Sequence, residues 1–484
     1  MTKLAKHWIG GQFTAGGAVR ESVNPANGKS IGTYCDAGAE VAAQAVDCAA
    51  DTFQTSGWRW DPMVRAAALS HLADAYAARL GEIIDSVCLE NGKMRREATY
   101  EASHIVRCLR FSAGLATQNF GRVMDVKPGT QSLSLRQAAG VAGLIVPWNS
   151  PAYLMIRALA PALAAGCTAA VKMPAQAAQT AALASEIIAS VHEIPRGAVN
   201  IFIESGADGA KLMVESPKVP VVHFTGSTGT GQRIAQAAAM HLKRVGLELG
   251  GKTPHVVFDD ADLNALLPVL EKSATVFAGQ FCMTGSRVLV QRSLAPRLEA
   301  ELASRLRGVR PGPSANPESD MGPLIDLGSV ERVDAMVEEA IKAGAVPIVR
   351  GGSSTLPELA GGAFYHPTLL KVDSSDLRIV QEEIFGPVQT LQVFDTEEEA
   401  IALANATTYG LSACVWSRDA DRPMRVARRL DAGLVSINSW ANLAVEIEEG
   451  GYKLSGLGRL GGPGAMDDFL EIKQISQTFA ALPA

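Results

Sequence analysis

The chain lacks most signals that would give its chemistry away at once. It has no H-E-x-x-H, no C-x-x-C and no cluster of Cys and His, so no metal is expected. It has no run of Lys and Arg, and its formal net charge is −6, which argues against nucleic acid as the main partner. The opening MTKLAKHWIGGQF lacks the apolar core of a signal peptide. The longest apolar-looking stretch, 151–171, is broken by Arg157, two prolines and Gly166, so no membrane span is expected. No repeat with a period of about 20–50 residues is visible. The seven cysteines, Cys35, Cys48, Cys88, Cys108, Cys167, Cys282 and Cys414, are scattered, as in a reduced intracellular protein. A cytoplasmic location is expected.

What is present is a soluble globular composition, with 47% hydrophobic and 19% charged residues. A length of 484 residues exceeds one ordinary core and predicts two or three domains. Residues 1–36 read as short strands and turns. Val41, Ala45, Ala49 and Phe53 then fall on one helical face, and Asp61-Pro62 starts a second helix that carries Ala66, Leu69, Leu72, Tyr76 and Leu80. Residues 118–136 read as a projecting hairpin around Lys127-Pro128-Gly129. Apolar strands follow at 141–146, 168–172, 199–203, 220–224 and 243–248, and again near 254–258, 287–291, 388–393, 412–416 and 433–437. Helices lie between many of them, notably 261–277, 328–343 and 420–430. Continuous apolar strands alternating with helices predict an α/β fold of two doubly wound parallel sheets. The two units meet near Glu248–Lys252, and pockets favour such junctions and the carboxyl ends of parallel strands. The extended tail FLEIKQISQTF has no reserved place in either sheet and is expected to pair with the hairpin or with another subunit.

The stretch from Glu248 to Cys282 joins a carboxylate among glycines to a thiol after Gly279-Gln280-Phe281. Most free cysteines are small buried hydrophobes, but a loop-like setting at a helix end favours an accessible thiol here. Cys48, Cys88 and Cys108 sit in helical patterns and read as packing. Glu248 is either a salt-bridged surface carboxylate or a general base at a strand's carboxyl end. Asn149 is either a turn residue or an amide donor to an oxyanion. Gly226-Ser227-Thr228-Gly229-Thr230-Gly231, before a helix beginning near Gly231, is either a tight turn or a phosphate cradle. Lys172 either meets a phosphate or ribose oxygen or solvates a strand end.

Taken in order, Pro147-Trp148-Asn149, Phe224-Thr225-Gly226-Ser227-Thr228, Glu248-Leu249-Gly250-Gly251-Lys252, Gly279-Gln280-x-Cys282, Glu382-Glu383-Ile384-Phe385-Gly386-Pro387 and Gly450-Gly451-Tyr452-Lys453-x-Ser455-Gly456 resemble the NAD(P)-dependent aldehyde dehydrogenase superfamily. The likeness spans essentially the whole chain. It implies that Cys282 attacks an aldehyde carbonyl, that Asn149 and the Cys282 N–H hold the oxyanion, and that hydride passes to the nicotinamide. Glu248 then activates the water that hydrolyses the thioester. The resemblance further implies cofactor contacts by Val146, Pro147, Trp148, Lys172, Gly226, Ser227, Gly231, Leu249, Glu383 and Phe385. Lys172, also counted with the catalytic set, reaches the adenosine ribose, Glu383 holds the nicotinamide ribose, and Lys252 is either part of the site or a brace for the domain junction. Ser150, Tyr153, Arg157 and Phe281 are expected to face substrate. The implied layout is a Rossmann-like cofactor domain (1–117 and 139–248), a catalytic domain (249–449), a return segment (450–465) and a β-hairpin oligomerisation flap (118–138 and 466–484), in a homodimer or homotetramer.

Several positions depart from the family pattern or mark a subgroup within it. Ala175 stands where a ribose-binding glutamate is usual, which predicts that NADP is tolerated beside NAD. Ser150 replaces a bulkier aromatic and widens the substrate tunnel. Arg157 either clamps a substrate carboxylate, as in semialdehyde and some aromatic-aldehyde enzymes, or forms a structural ion pair; Val276 and Thr284 replace other features expected of a succinate-semialdehyde enzyme. Leu460 stands where relatives often have glutamate, with no functional reading. The rival readings are a cofactor-independent cysteine esterase, a CoA-acylating enzyme, and a binding protein that keeps the fold.

Overall fold

The computed structural model describes residues 4–480; the first three residues of the opening stretch and the last four of the 466–484 segment lie outside the described residues. Val141–Ile145, Thr168–Pro174, Val199–Glu204, Val221–Thr225 and Arg244–Glu248 are strands, as their apolar runs predict. All five pair in parallel. Their order reverses between Val141–Ile145 and Val221–Thr225: the first leads to Thr168–Pro174 on one side, the second to Arg244–Glu248 on the other. A reversal of this kind leaves a crevice outside the carboxyl ends of the two strands. The segments that emerge there are 146–149 and 226–227. Antiparallel additions bring the sheet to eight strands, with His7–Ile9 and Gln12–Thr14 beyond Val199–Glu204, and Gly456–Leu457 beyond Arg244–Glu248.

The second sheet has seven strands in the order Val346–Val349, Thr368–Lys371, Val388–Phe394, Arg287–Gln291, Pro254–Val257, Ser412–Trp416, Leu434–Ile437. Val346–Val349 runs antiparallel and the others parallel. Gly251, Cys282 and Phe385 each precede a strand of this sheet by a few residues, so it presents its amino ends to the site. The expectation of carboxyl ends holds for the eight-stranded sheet alone.

Local chemistry sets the helix limits. Asp61 accepts from the N–H groups of Met63 and Val64, with Pro62 in the first turn of Pro62–Ala78. Leu80 opens the next helix, Leu80–Asn91, and does not belong to that one. The predicted helix 261–277 is Leu263–Thr275, capped by Asp262, and the predicted 420–430 shrinks to Arg422–Ala427. The helix placed near Gly231 starts at Thr228, because Ser227 is extended and can begin the turn. The tail strand Leu470–Thr478 pairs antiparallel with Thr130–Ala138 of its own chain, and Arg122–Lys127 completes that three-stranded sheet. Among the described residues no helix is long and apolar enough to cross a membrane.

Candidate active site

A cavity of about 910 Å³ opens between the carboxyl ends of the eight-stranded sheet and the amino ends of the seven-stranded one. Asn149, Glu248, Cys282 and Glu383 all line it, although they come from four separate stretches. Pro147, Trp148, Ser150, Tyr153, Arg157, Gly226, Ser227, Leu249, Phe281 and Phe385 line it too, whereas Val146, Lys172 and Gly231 do not.

The cysteine arrives on a strained turn. Phe277, Ala278 and Gly279 are left-handed, with φ of 52°, 53° and 71°. Left-handed non-glycine residues cost about 1–3 kcal/mol each and persist only where the surroundings hold them. Here Glu97 Oε1 accepts the Phe277 N–H at 3.1 Å, and the buried Gln280 amide donates to Phe277 O at 2.9 Å while its oxygen accepts from Ile325 N at 2.8 Å. Gly279 has no room for a side chain, since a Cβ would lie 2.2 Å from the Gly386 carbonyl. A Cβ on Gly251 would lie 2.4 Å from Cys282 O, and one on Gly250 2.4 Å from Glu383 Oε2. The glycines therefore let the base, thiol and Glu383 segments interlock.

Cys282 is half-buried. Burial pushes its thiol up to about 12, against the pull of Arg157, so the resting group is a neutral thiol. Glu248 is buried and is pushed up to about 8 by burial; Arg157 opposes the rise and Glu449 adds to it. Asn149 Nδ2 donates to Gln280 O at 3.1 Å, which aims the amide at the cysteine loop and leaves its second N–H for another acceptor. Arg157 is held by Glu449 at 2.8 Å, with side chains only 8% and 9% exposed. Burial would discharge Arg157, but Glu449 and Glu248 outweigh it.

On the other side, Glu383 Oε1 accepts the Gly251 N–H at 3.2 Å, and burial pushes its carboxyl up to about 7. Lys252 donates to Glu382 O at 2.6 Å, and burial pulls it down to about 7. Arg332 grips Ile384 O at 2.6 Å, and the Phe385 ring meets Trp148 edge to face at 5.4 Å. Gly226 and Gly231 are dictated by packing beside the helix start at Thr228: a Cβ on the first would strike Phe224 and one on the second Leu249. An anion is accommodated by such a helix start. Val146 N donates to Lys172 O at 3.0 Å; the Lys172 amine is half-buried, with burial lowering it and Glu204 and Asp36 opposing. Phe281 packs edge-on between Phe277 and Trp440, and Tyr153 meets His104.

Sequence reading overlooked Lys93, Glu97, Glu101 and Glu449. The available signal was slight: a cation straight after the left-handed Gly92, and acids on the buried face of the helix Arg95–Ala116.

The aldehyde dehydrogenase family model matches residues 13–475, and the chain belongs to that family. It is 35% identical over 459 residues to the betaine aldehyde dehydrogenase of Bacillus subtilis (strain 168), covering 94% of each chain. It is also 35% identical over 482 residues to a 2-hydroxymuconic semialdehyde dehydrogenase of Pseudomonas sp. (strain CF600), covering 98% of this chain and 99% of that one. A crystal structure of Staphylococcus aureus betaine aldehyde dehydrogenase with NAD+ superposes with a TM-score of 0.95 at 32% identity, over 98% of this chain and 94% of that one.

Proposed function

We propose that Cys282, Asn149, Glu248 and Glu383 carry out the family's oxidation of an aldehyde to its carboxylic acid. The observation that carries this assignment is their convergence on one cavity between the two sheets. Cys282 Sγ adds to the aldehyde carbon, and the carbonyl oxygen takes up the negative charge between Asn149 Nδ2 and the Cys282 N–H. The thiol proton must leave as the C–S bond forms. Glu248, once ionised, accepts it and passes it to solvent; it then takes a proton from the water that cleaves the acyl–sulfur bond and returns that proton to the departing sulfur, regenerating the thiol and releasing acid. NAD(P), when bound, supplies the acceptor for the hydride that leaves the adduct. The helix start at Thr228, beside the cavity-lining Ser227, suits its pyrophosphate, while Glu383 and Phe385 suit the nicotinamide end.

NAD is supported by the bound NAD+ of the Staphylococcus aureus relative. NADP is proposed as a second cofactor because Ala175 puts no carboxylate where a 2′-phosphate would lie. Comparing kcat/KM for the two cofactors tests this, and a strong NAD preference would sink it.

For substrate, we infer a neutral or aromatic aldehyde. Arg157 is already paired with Glu449, and the wall carries Tyr100, Tyr153, Phe277, Phe281 and Trp440. The carboxylate clamp remains the second reading, favoured by an unpartnered buried Arg157 Nε and by the semialdehyde relatives. A panel of aliphatic, aromatic and carboxylated aldehydes, run with both cofactors and with and without CoA, decides among them. Loss confined to carboxylated aldehydes in Arg157→Ala would support the clamp. No reduced nicotinamide from any aldehyde would overturn the assignment as a whole. A homo-oligomer fits the exposed Val123, Met124 and Ile472 of the three-stranded sheet.

A further inference from the structure

Asn149 and Cys282 supply the two halves of the oxyanion site, yet they belong to different sheets. Asn149 follows a strand of the eight-stranded sheet, and Cys282 precedes a strand of the seven-stranded one. A donor pair shared between two layers holds its spacing only if something ties the layers together at that point.

Besides the direct Asn149 Nδ2–Gln280 O hydrogen bond, a second tie is visible in the structure. Lys93 is buried, 3% exposed, at the end of the turn that follows Leu80–Asn91. Its Nζ lies 2.5 Å from Glu101 Oε2 and donates to Ser150 Oγ at 2.9 Å. The same ammonium sits over the Phe277 ring, 4.0 Å from its centroid. Ser150 adjoins Asn149, and Phe277 opens the left-handed turn that delivers Cys282. Glu101 is 1% exposed, and its other oxygen accepts the N–H groups of Ala152 and Tyr153, the first turn of Pro151–Ala165, at 3.1 and 3.3 Å. One buried cation thus grips the Asn149 segment by a hydrogen bond and the Cys282 turn by its aromatic face. One carboxylate fixes the cation and the helix that follows Asn149. Side chains this enclosed and this fully bonded have few alternative positions, so the tie is stiff.

We propose that Lys93, anchored by Glu101, is a positioning residue that sets the distance between the Asn149 amide and the Cys282 N–H. The proposal rests on the assignment of those two groups as the oxyanion donors. Lys93 does not touch substrate; it acts through Ser150 and Phe277.

A double-mutant cycle tests it. Asn149→Ala is expected to lower kcat about 10²- to 10³-fold, as for loss of one oxyanion donor. Lys93→Met, which keeps the length and removes the charge, is expected to lower kcat about 10- to 100-fold by misplacing that donor, with KM for cofactor unchanged. Lys93→Met added to Asn149→Ala is expected to cost little more, because the group it positions is already gone. Losses that multiply would overturn the proposal and leave the oxyanion assignment standing. An Asn149→Ala enzyme of unchanged kcat would overturn both. If Lys93→Met does not fold, Ser150→Ala, which deletes only the hydroxyl that Lys93 holds, is carried through the same cycle. A loss that disappears in the Asn149→Ala background supports the tie, and an unchanged or multiplying loss overturns it.

Discussion

Two buried ion pairs border the cavity, Lys93–Glu101 at 2.5 Å and Arg157–Glu449 at 2.8 Å, and they are finished to different degrees. Around the first, Glu101 takes two further amide N–H groups, and Lys93 adds a hydroxyl and an aromatic ring. Around the second, Arg157 Nε and Glu449 Oε2 meet no partner. A pair with every contact used holds geometry. A pair with contacts to spare projects its charge onto its neighbours, and here those neighbours are Glu248 and Cys282.

The comparison can be broken most strongly at Glu248, the group that the looser pair is said to tune. Glu248→Gln is expected to lower kcat about 10²- to 10⁴-fold. In the wild type, the rate should climb as pH rises through about 8, where the buried carboxyl loses its proton and becomes a base. That climb should vanish in the variant, and a pH–rate profile retaining it would assign the limb to another group.

Breaking the tighter pair comes next. Glu101→Ala leaves Lys93 buried and unpaired and should cost about 3–5 kcal/mol in denaturant unfolding. Glu449→Ala should cost less, since Arg157 still faces Glu248. Equal losses would erase the distinction between the pairs.

The third effect is a matter of sign. Glu449→Gln removes a charge that raises Glu248, so the alkaline limb should move to lower pH; Arg157→Met removes one that lowers it, so the limb should move up. Each shift should be about one pH unit, and shifts in the same direction would refute the tuning role.

The smallest effect concerns His223, beside Arg157, and His255, whose depression comes from burial alone. Both are held down to about 3, so the folded imidazoles stay neutral while unfolded ones bind protons below 6.5. Stability is therefore present above that value and lost on acidification, by about 0.7 kcal/mol per imidazole between pH 7 and pH 6. His223→Asn and His255→Asn should each flatten that slope in unfolding curves.

Most parallel strands were legible because burial on both faces demands unbroken apolar residues, as in 141–146 and 287–291; the four-residue Thr368–Lys371 was too short to stand out. Val346–Val349 was not legible either, since its apolar run is only four residues long and contains Pro347, which argues against a strand. Cys282 and Glu248 stood out beside glycines, whose need for close backbone approach is now explained at Gly250, Gly251 and Gly279, and Asn149 stood out at the end of an apolar strand. Lys93, Glu97 and Glu101 did not stand out, because an acid or base in a helical stretch normally marks the solvent face. Arg157 was seen, but its partner lies 292 residues away, beyond any local pattern. The left-handed turn at Phe277 and Ala278 was equally hidden, because nothing in their side chains asks for it.

The strand ending in Glu248 gains its outer neighbour from Gly456–Leu457, some two hundred residues later in the chain. On the ribosome, that strand is an open edge until residues 456–457 have emerged. Glu248 is therefore enclosed only after that late segment has joined the sheet. A chain stopped short of residue 456 would present an unpaired strand edge in place of a catalytic wall, and would be a substrate for chaperones sooner than an enzyme.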